Sequence, residues 1–176
     1  KPSIENLNIA KGLYKSKNLL VIPLSRKDTS MAGKSPMVSN WNNLTTNYDF
    51  KITNSVCNLG IVCGPESGII CIDIDVKDDG VKIFKKMLNH YTIPKNCPIQ
   101  RTGTNGYHYI FKYNPERMST MMAKIKCPKL NLIPIGIDMW IQQCQFVVSP
   151  SVNYTTGVQY EWINPINNIC DIPEMP

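Results

Sequence analysis

Three aspartates have the chemical type and the spacing of a metal site. Asp73 and Asp75 close an apolar run over residues 68–75, and Asp138 lies in a second apolar run over residues 135–139. Side chains alternate between the two faces of a strand, so a strand here places Asp73 and Asp75 together on one face. Neighbouring carboxylates repel each other unless a cation lies between them. With Asp138 as a third ligand, the pattern predicts a site for one or two divalent metals. Enzymes use sites of this type to transfer phosphoryl or nucleotidyl groups.

Strands must position these carboxylates, and the surrounding sequence predicts them. Residues 58–63 have a strand-like pattern and precede a Gly-Pro-Glu-Ser-Gly turn, so we expect them to form a β-hairpin with residues 69–75. Residues 98–102 and 106–112 flank a glycine-containing loop and predict a second hairpin. The second hairpin carries Arg101 and His108.

The remaining segments complete an α+β pattern. Ser3 is placed to cap a helix over residues 3–18, and Asp79 to cap another that runs to about His90. Alternating helices and strands with hairpins favour an α+β fold with a mainly antiparallel sheet. Further strands are predicted at residues 19–24, 135–142, 146–148 and 158–162. Residues 25–49 are predicted to form a loop with one short helix, and the Lys- and Met-rich residues 114–131 a surface insertion.

Composition narrows the class of partner. Nineteen Lys and Arg against 13 Asp and Glu give a net charge of +6 and favour an anionic partner, nucleic acid before a membrane surface. The chain lacks the run of about 18 apolar residues that spans a bilayer, so we expect a soluble, intracellular protein without a membrane partner. The seven cysteines are scattered without a CxxC pair, which argues against structural zinc and a disulfide framework.

The order of the motifs resembles one family. Asp-x-Asp is followed by Arg101 to His108, by Gly-Ile-Asp138, by Phe-Val-Val-Ser-Pro-Ser at residues 146–151, and by Tyr-x-Trp at residues 160–162. This order resembles the primase-polymerase domain of the archaeo-eukaryotic primase superfamily, in the branch found in plasmids, phages and large DNA viruses. The resemblance covers residues 19–162.

The resemblance implies roles for individual residues. Asp73, Asp75 and Asp138 would bind the catalytic Mg²⁺ or Mn²⁺, and His108 would contact the phosphates of the incoming nucleotide. Residues implied as further nucleotide contacts are Arg101, Lys34, Ser149 and Ser151.

The chain departs from the family pattern at two points. Gly106 stands where many relatives have Ser, two residues before the histidine, so a hydroxyl contact there would have to come from Thr102 or Thr104. Met139 follows Asp138 where many relatives have Arg, which leaves Trp140 either to stack on a base or to pack in the core.

The resemblance therefore implies a DNA-directed primase/polymerase that makes or extends primers on single-stranded DNA from nucleoside triphosphates. The implied catalytic core joins a small α/β module to an RRM-like sheet. We expect residues 1–176 to form this domain as the N-terminal part of a longer viral primase-helicase, with residues 163–176 as a tail. The expected partners are nucleoside triphosphates, single-stranded DNA and a helicase domain, in the host cytoplasm or at a replication site.

Two other functions stay open at this level. A replication-initiator nuclease needs paired histidines, and the chain has only His90 and His108. A noncatalytic RRM-type nucleic-acid-binding domain needs exposed aromatic residues on its central strands, and Asp73 and Asp75 would repel a phosphate backbone.

Overall fold

The computed structural model describes residues 1–25, 31–54, 57–125 and 133–176. In these ranges the chain forms two antiparallel sheets with helices packed against them, which confirms the predicted α+β class. The α-helices are α1 Ile4–Ser16, α2 Gly80–Met87 and α3 Pro115–Ile125. The strands are β1 Val21–Ser25, β2 Ser35–Pro36, β3 Cys57–Val62, β4 Ile69–Ile74, β5 Ile99–Arg101, β6 Tyr107–Lys112, β7 Ile137–Trp140, β8 Gln145–Val148 and β9 Glu161–Asn164. Short 3₁₀ helices lie at Trp41–Asn43, Lys77–Asp79 and Ile169–Asp171.

The first sheet has four strands in the order β2-β1-β3-β8. Helix α1 packs against it through buried Leu7 and Tyr14. The Ser3 hydroxyl accepts a hydrogen bond from the Asn6 N–H at 3.0 Å, which confirms the predicted cap.

The second sheet has five strands in the order β7-β4-β6-β5-β9 and carries the predicted acids. Strand β4, the second in this order, pairs with β6 on one side and β7 on the other. The hairpin predicted over residues 98–112 is confirmed as β5 and β6, and the Thr102 N–H donates to the Gly106 carbonyl across its turn.

The hairpin predicted for β3 and β4 is wrong. These strands lie in different sheets, and their only ladder contact within the described ranges is a single bridge between Gly64 and Ile69. Both strands are almost entirely buried, so the backbone N–H and C=O groups along both edges of each strand need partners inside the protein. Strand β3 finds them in β1 and β8, and β4 in β6 and β7.

Helix α2 begins without the predicted side-chain cap. Asp79 has a left-handed φ of 60° and makes no capping hydrogen bond, so that prediction is wrong, and the helix ends at Met87, short of His90. Its first residue, Gly80, contacts other backbone so closely that a Cβ would lie 2.1 Å from the Gly136 carbonyl oxygen. Glycine is therefore required for the helix to start beside the loop that precedes β7.

Two segments pack more closely than the sequence indicates. Residues 115–125 of the predicted surface insertion form α3, whose Met118 is buried in the core, while residues 126–131 of that prediction lie outside the described residues. In the predicted tail, Ile166 and Ile172 are buried and the Pro173 carbonyl accepts from the Lys112 N–H at 2.8 Å. Over the described part of the chain, the helices are too short or too polar to span a bilayer.

Hydrogen bonds tie the two sheets together. The Tyr14 hydroxyl donates to the Ser149 carbonyl at 2.6 Å and accepts from the Trp162 indole N–H at 2.8 Å. This links α1, the end of β8 and β9. The face of the second sheet that carries Trp162 therefore meets the first sheet. The polar side chains of the candidate site lie along this face.

Candidate active site

A row of polar side chains crosses the second sheet. In the strand register Asp73 of β4 is opposite Asp138 of β7 on one side and His108 of β6 on the other, and His108 is opposite Gln100 of β5. Residues directly opposite each other on antiparallel strands share a face and have Cβ atoms about 5 Å apart. Four neighbouring strands thus bring two carboxylates, an imidazole and an amide into one line.

Asp73 is the central member of the row. Its side chain is 24% exposed, and its Oδ1 lies 3.5 Å from His108 Nε2. Burial raises the pKa of Asp73, but the hydrogen bond and charge interaction with His108, the charge of Lys34 and a hydrogen bond from Trp140 outweigh it, so that the pKa is lowered. Asp73 is therefore an ionised carboxylate at neutral pH.

Asp138 and Asp75 lie at the open end of the row. Burial together with the charges of Asp73 and Asp75 raises the pKa of Asp138, which shows that the three carboxylates interact. Asp75 lies one residue beyond β4, where its N–H donates to the Gly136 carbonyl at 2.8 Å. Its Oδ1 accepts from the Lys77 N–H at 3.1 Å. These bonds hold Asp75 beside the loop that leads into Asp138.

The three carboxylates suit a hard cation in type and charge. Within the described ranges, however, no group of three or more His, Cys, Asp or Glu side chains is placed to hold a metal ion as it stands. Burial and the charges of Asp73 and Asp75 together raise the pKa of Asp138, and a bound cation would relieve the repulsion between these charges. Binding one therefore requires the carboxylates to turn toward a common point.

His108 is deeply buried, at 5% exposure, and its ring is tightly held. Phe146 meets it edge-on with ring centroids 5.5 Å apart, and the Tyr160 ring centroid lies 6.0 Å away. Its Nδ1 lies 2.9 Å from Gln100 Nε2. Sequence reasoning missed Gln100, although the register of the predicted hairpin already places it opposite His108.

A cavity opens beside Asp73 and His108. Lys34 lies on its wall, so the structure brings this predicted phosphate contact next to Asp73 and His108. The Trp140 side chain, whose interaction helps to lower the pKa of Asp73, also lines the cavity, a contact that sequence reasoning did not foresee. The other lining residues are Gln145, Phe146, Val147 and Tyr160.

Three predicted nucleotide contacts lie elsewhere. Arg101 is opposite Tyr107 in the register, which puts it on the other face of the sheet from His108, and it pairs with Glu161 at 2.5 Å. Ser151 is fully buried, and its hydroxyl bonds to both the N–H and the carbonyl of Leu59. Ser149 is half-buried. None of the three lines the cavity beside Asp73.

One comparison with known proteins identifies the type of domain. The family model described as the N-terminal domain of bifunctional DNA primase/polymerase matches residues 12–176. This match includes both sheets and every residue of the polar row. A search of individual curated proteins gives no significant match.

Proposed function

We propose a specific activity for this chain, which belongs to the bifunctional DNA primase/polymerase family. The family supports a primase/polymerase type of function. We propose further that the chain makes or extends primers on single-stranded DNA during replication, by metal-dependent nucleotidyl transfer. The observation that carries this proposal is the row of Asp138, Asp73 and His108 beside a cavity that also contains Lys34.

The three aspartates would hold the divalent cations. Mg²⁺ or Mn²⁺ bound there would lower the pKa of an attacking 3′ hydroxyl and stabilise the leaving pyrophosphate. Asp73 supports this role because its carboxyl is ionised at neutral pH. Asp138 supports it because its carboxylate is repelled by two others in the absence of a cation.

The triphosphate would lie against His108 and Lys34. An N–H donor on the imidazole and the positive charge of the lysine neutralise phosphate oxygens, and both are worth more in a partly enclosed cavity than in water. Arg101 would have to leave Glu161 and cross the sheet edge to join them. We therefore assign the triphosphate contacts to His108 and Lys34.

The template would follow a basic surface. Helix α2 starts five residues after Asp75 and exposes Lys82, Lys85 and Lys86. Lysines of this kind bind phosphates of single-stranded DNA without reading its sequence. A helicase domain elsewhere in a longer protein would present the unwound template to this surface.

A nucleotide-incorporation assay tests the proposal. The protein is incubated with labelled ribo- or deoxynucleoside triphosphates, single-stranded DNA and Mg²⁺ or Mn²⁺, with and without a primer, beside Asp75→Ala. The exposed Asp171, which lies outside the row, gives the control variant Asp171→Ala. We expect metal-dependent incorporation by the wild type and the control, and its loss in Asp75→Ala. Full incorporation by Asp75→Ala, or cleavage of the DNA without incorporation, would overturn the proposal.

A further inference from the structure

Gln100 is a fully buried polar side chain in the centre of the molecule. Its exposure is 0%, and it makes three hydrogen bonds. Its Oε1 accepts from the Ser149 N–H at 2.7 Å, and its Nε2 donates to the Val147 carbonyl at 2.9 Å. The same Nε2 lies 2.9 Å from His108 Nδ1. Gln100 therefore connects β5 to β8 of the other sheet and also contacts the histidine of the row.

The backbone fixes which way the Gln100 amide points. The Ser149 N–H can only donate, so the atom that it meets must be the amide oxygen. The Val147 carbonyl can only accept, so the atom that it meets must be the amide nitrogen. Both constraints agree, and turning the amide over would break two buried hydrogen bonds. The group that faces His108 is consequently an N–H donor.

This donor determines the tautomer of the His108 ring. Because the Gln100 NH₂ group can only donate, His108 Nδ1 must accept and cannot carry a proton. The proton of the neutral imidazole then lies on Nε2, the nitrogen that is 3.5 Å from Asp73 Oδ1.

We propose that Gln100 is a positioning residue that keeps His108 in the Nε2–H tautomer, with that N–H aimed at the Asp73 side of the cavity. The consequence for nucleotide binding rests on the function proposed above, in which His108 donates to the triphosphate. The tautomer itself does not depend on that function. The competing explanation is that Gln100 merely joins the two sheets, in which case the tautomer would be indifferent to its amide.

Nitrogen NMR of the histidine side chains separates these explanations. The chain contains only His90 and His108, so a His90→Gln variant assigns the His108 signals. Spectra are recorded at about pH 9, well above the ordinary imidazole pKa of about 6.5. We expect the Nε2–H tautomer in the wild type. A ring protonated mainly on Nδ1 would overturn the proposal.

Two substitutions test the cause of the tautomer. Gln100→Glu keeps an acceptor for the Ser149 N–H but presents a carboxylate to Nδ1. Because Asp73 still faces Nε2, we expect His108 to gain a proton on Nδ1, either in place of the Nε2 proton or together with it. Gln100→Met removes the donor while it keeps a similar volume, and we expect a measurable Nδ1–H population beside the Nε2–H form that Asp73 still favours. An unchanged Nε2–H tautomer in folded Gln100→Glu, with its fold checked by circular dichroism, would contradict the proposal.

A double-mutant cycle tests the consequence for activity. Supporting residues behind a site typically contribute about 10–100-fold, so we expect Gln100→Met to lower kcat/KM for the nucleotide by about that factor. In a His108→Ala background we expect no further loss, because Gln100 acts through the ring. An equal loss in both backgrounds would show a merely structural role. If the wild type incorporates no nucleotide, the proposed function fails while the NMR result still decides the tautomer.

Discussion

The two faces of the five-stranded sheet are built from the same strands and have opposite chemistry. On one face Ile70, Ile72 and Ile74 of β4 pack with Phe111 of β6 beneath helices α2 and α3. On the other face of the same two strands lie Asp73 of β4 and His108 of β6. The apolar face contributes stability through the close packing of its side chains. The polar face depends on charge and on the direction of hydrogen bonds.

This difference shows how the site is fixed in place. A slip of one residue in the register would exchange the faces, which would turn the carboxylates under the helices and the isoleucines toward the first sheet. The apolar face therefore determines the register, and the register aligns Asp138, Asp73, His108 and Gln100. Substitutions on the two faces should accordingly separate stability from activity.

The largest expected effect on stability is on the apolar face. Phe111 is 2% exposed, so Phe111→Ala should lower the free energy of unfolding by about 3–5 kcal/mol through lost burial and the cavity left behind. Denaturant unfolding measures this loss, and Phe111→Leu, which keeps most of the volume, serves as the milder control. A loss below about 1 kcal/mol would show that this face is not the core that we describe.

On the polar face, His108→Ala should affect nucleotide use more than stability. We expect KM for the nucleotide to rise about 10–100-fold, because a hydrogen bond to a charged group contributes about 1.5–3 kcal/mol. Steady-state incorporation kinetics measure it. Tyr109→Phe changes the next residue, which points to the opposite face, and should leave KM unchanged. Equal increases in KM in the two variants would contradict the assignment of nucleotide binding to the polar face.

A substitution at Asp138 should have a smaller effect on stability, and of opposite sign to that of Phe111→Ala. The folded-state pKa of Asp138 is raised above the ordinary 3.8, so its ionised form destabilises the metal-free fold. Asp138→Asn should therefore raise the melting temperature in EDTA while it abolishes incorporation. This gain in stability should be complete when the pH is above the raised pKa of Asp138. It should vanish as the pH falls below the ordinary carboxyl pKa of 3.8. Exposed charge pairs suggest a size of about 0.2–1 kcal/mol.

Thermal unfolding across that pH range, with and without Mn²⁺, checks this prediction. Mn²⁺ should stabilise the wild type more than Asp138→Asn, since the variant lacks one ligand. A variant that is less stable than the wild type in EDTA at neutral pH would show that ionised Asp138 does not destabilise the metal-free fold, against the raised pKa.

The smallest expected effect, on DNA binding, concerns the outer surface of α2, the helix that covers the apolar face. Replacing Lys82, Lys85 and Lys86 by Ala should reduce the salt dependence of single-stranded DNA binding by roughly 0.7 per lysine in a plot of log K against log salt. Fluorescence anisotropy at several salt concentrations measures the slope. An unchanged slope would place the template on another surface.

Local signals in the sequence predict two parts of the polar row, which are Asp73 on β4 and the hairpin that carries His108. Alternation in β4 separates Asp73 from Ile72 and Ile74, and the glycine-containing turn predicts the β5–β6 hairpin, because both signals are local. The same hairpin register already separates Arg101 from His108, although the family pattern suggested that they act together.

Long-range pairing is what local signals cannot supply. Strands β3 and β4 read as a hairpin because a turn joins two apolar runs, yet each strand is buried on both faces and pairs with distant segments instead. The Lys- and Met-rich composition of residues 114–131 predicts a surface insertion, although Met118, Met121 and Met122 have the helical spacing of α3. The predicted Asp79 cap is wrong because the Asp79 backbone is left-handed, and no local sequence signal predicts that conformation.

Two neighbouring residues of β4 give the most direct test of the central claim, which is that the polar face performs metal-dependent nucleotidyl transfer. Incorporation and unfolding are measured for Asp73→Asn and Ile72→Val. We predict that Asp73→Asn lowers incorporation by about a thousandfold or more, because metal ligands supply several kcal/mol of transition-state stabilisation, and that the protein stays folded. Ile72→Val should keep its incorporation and lose about 0.5–1.5 kcal/mol of stability. Wild-type incorporation by Asp73→Asn would contradict the account.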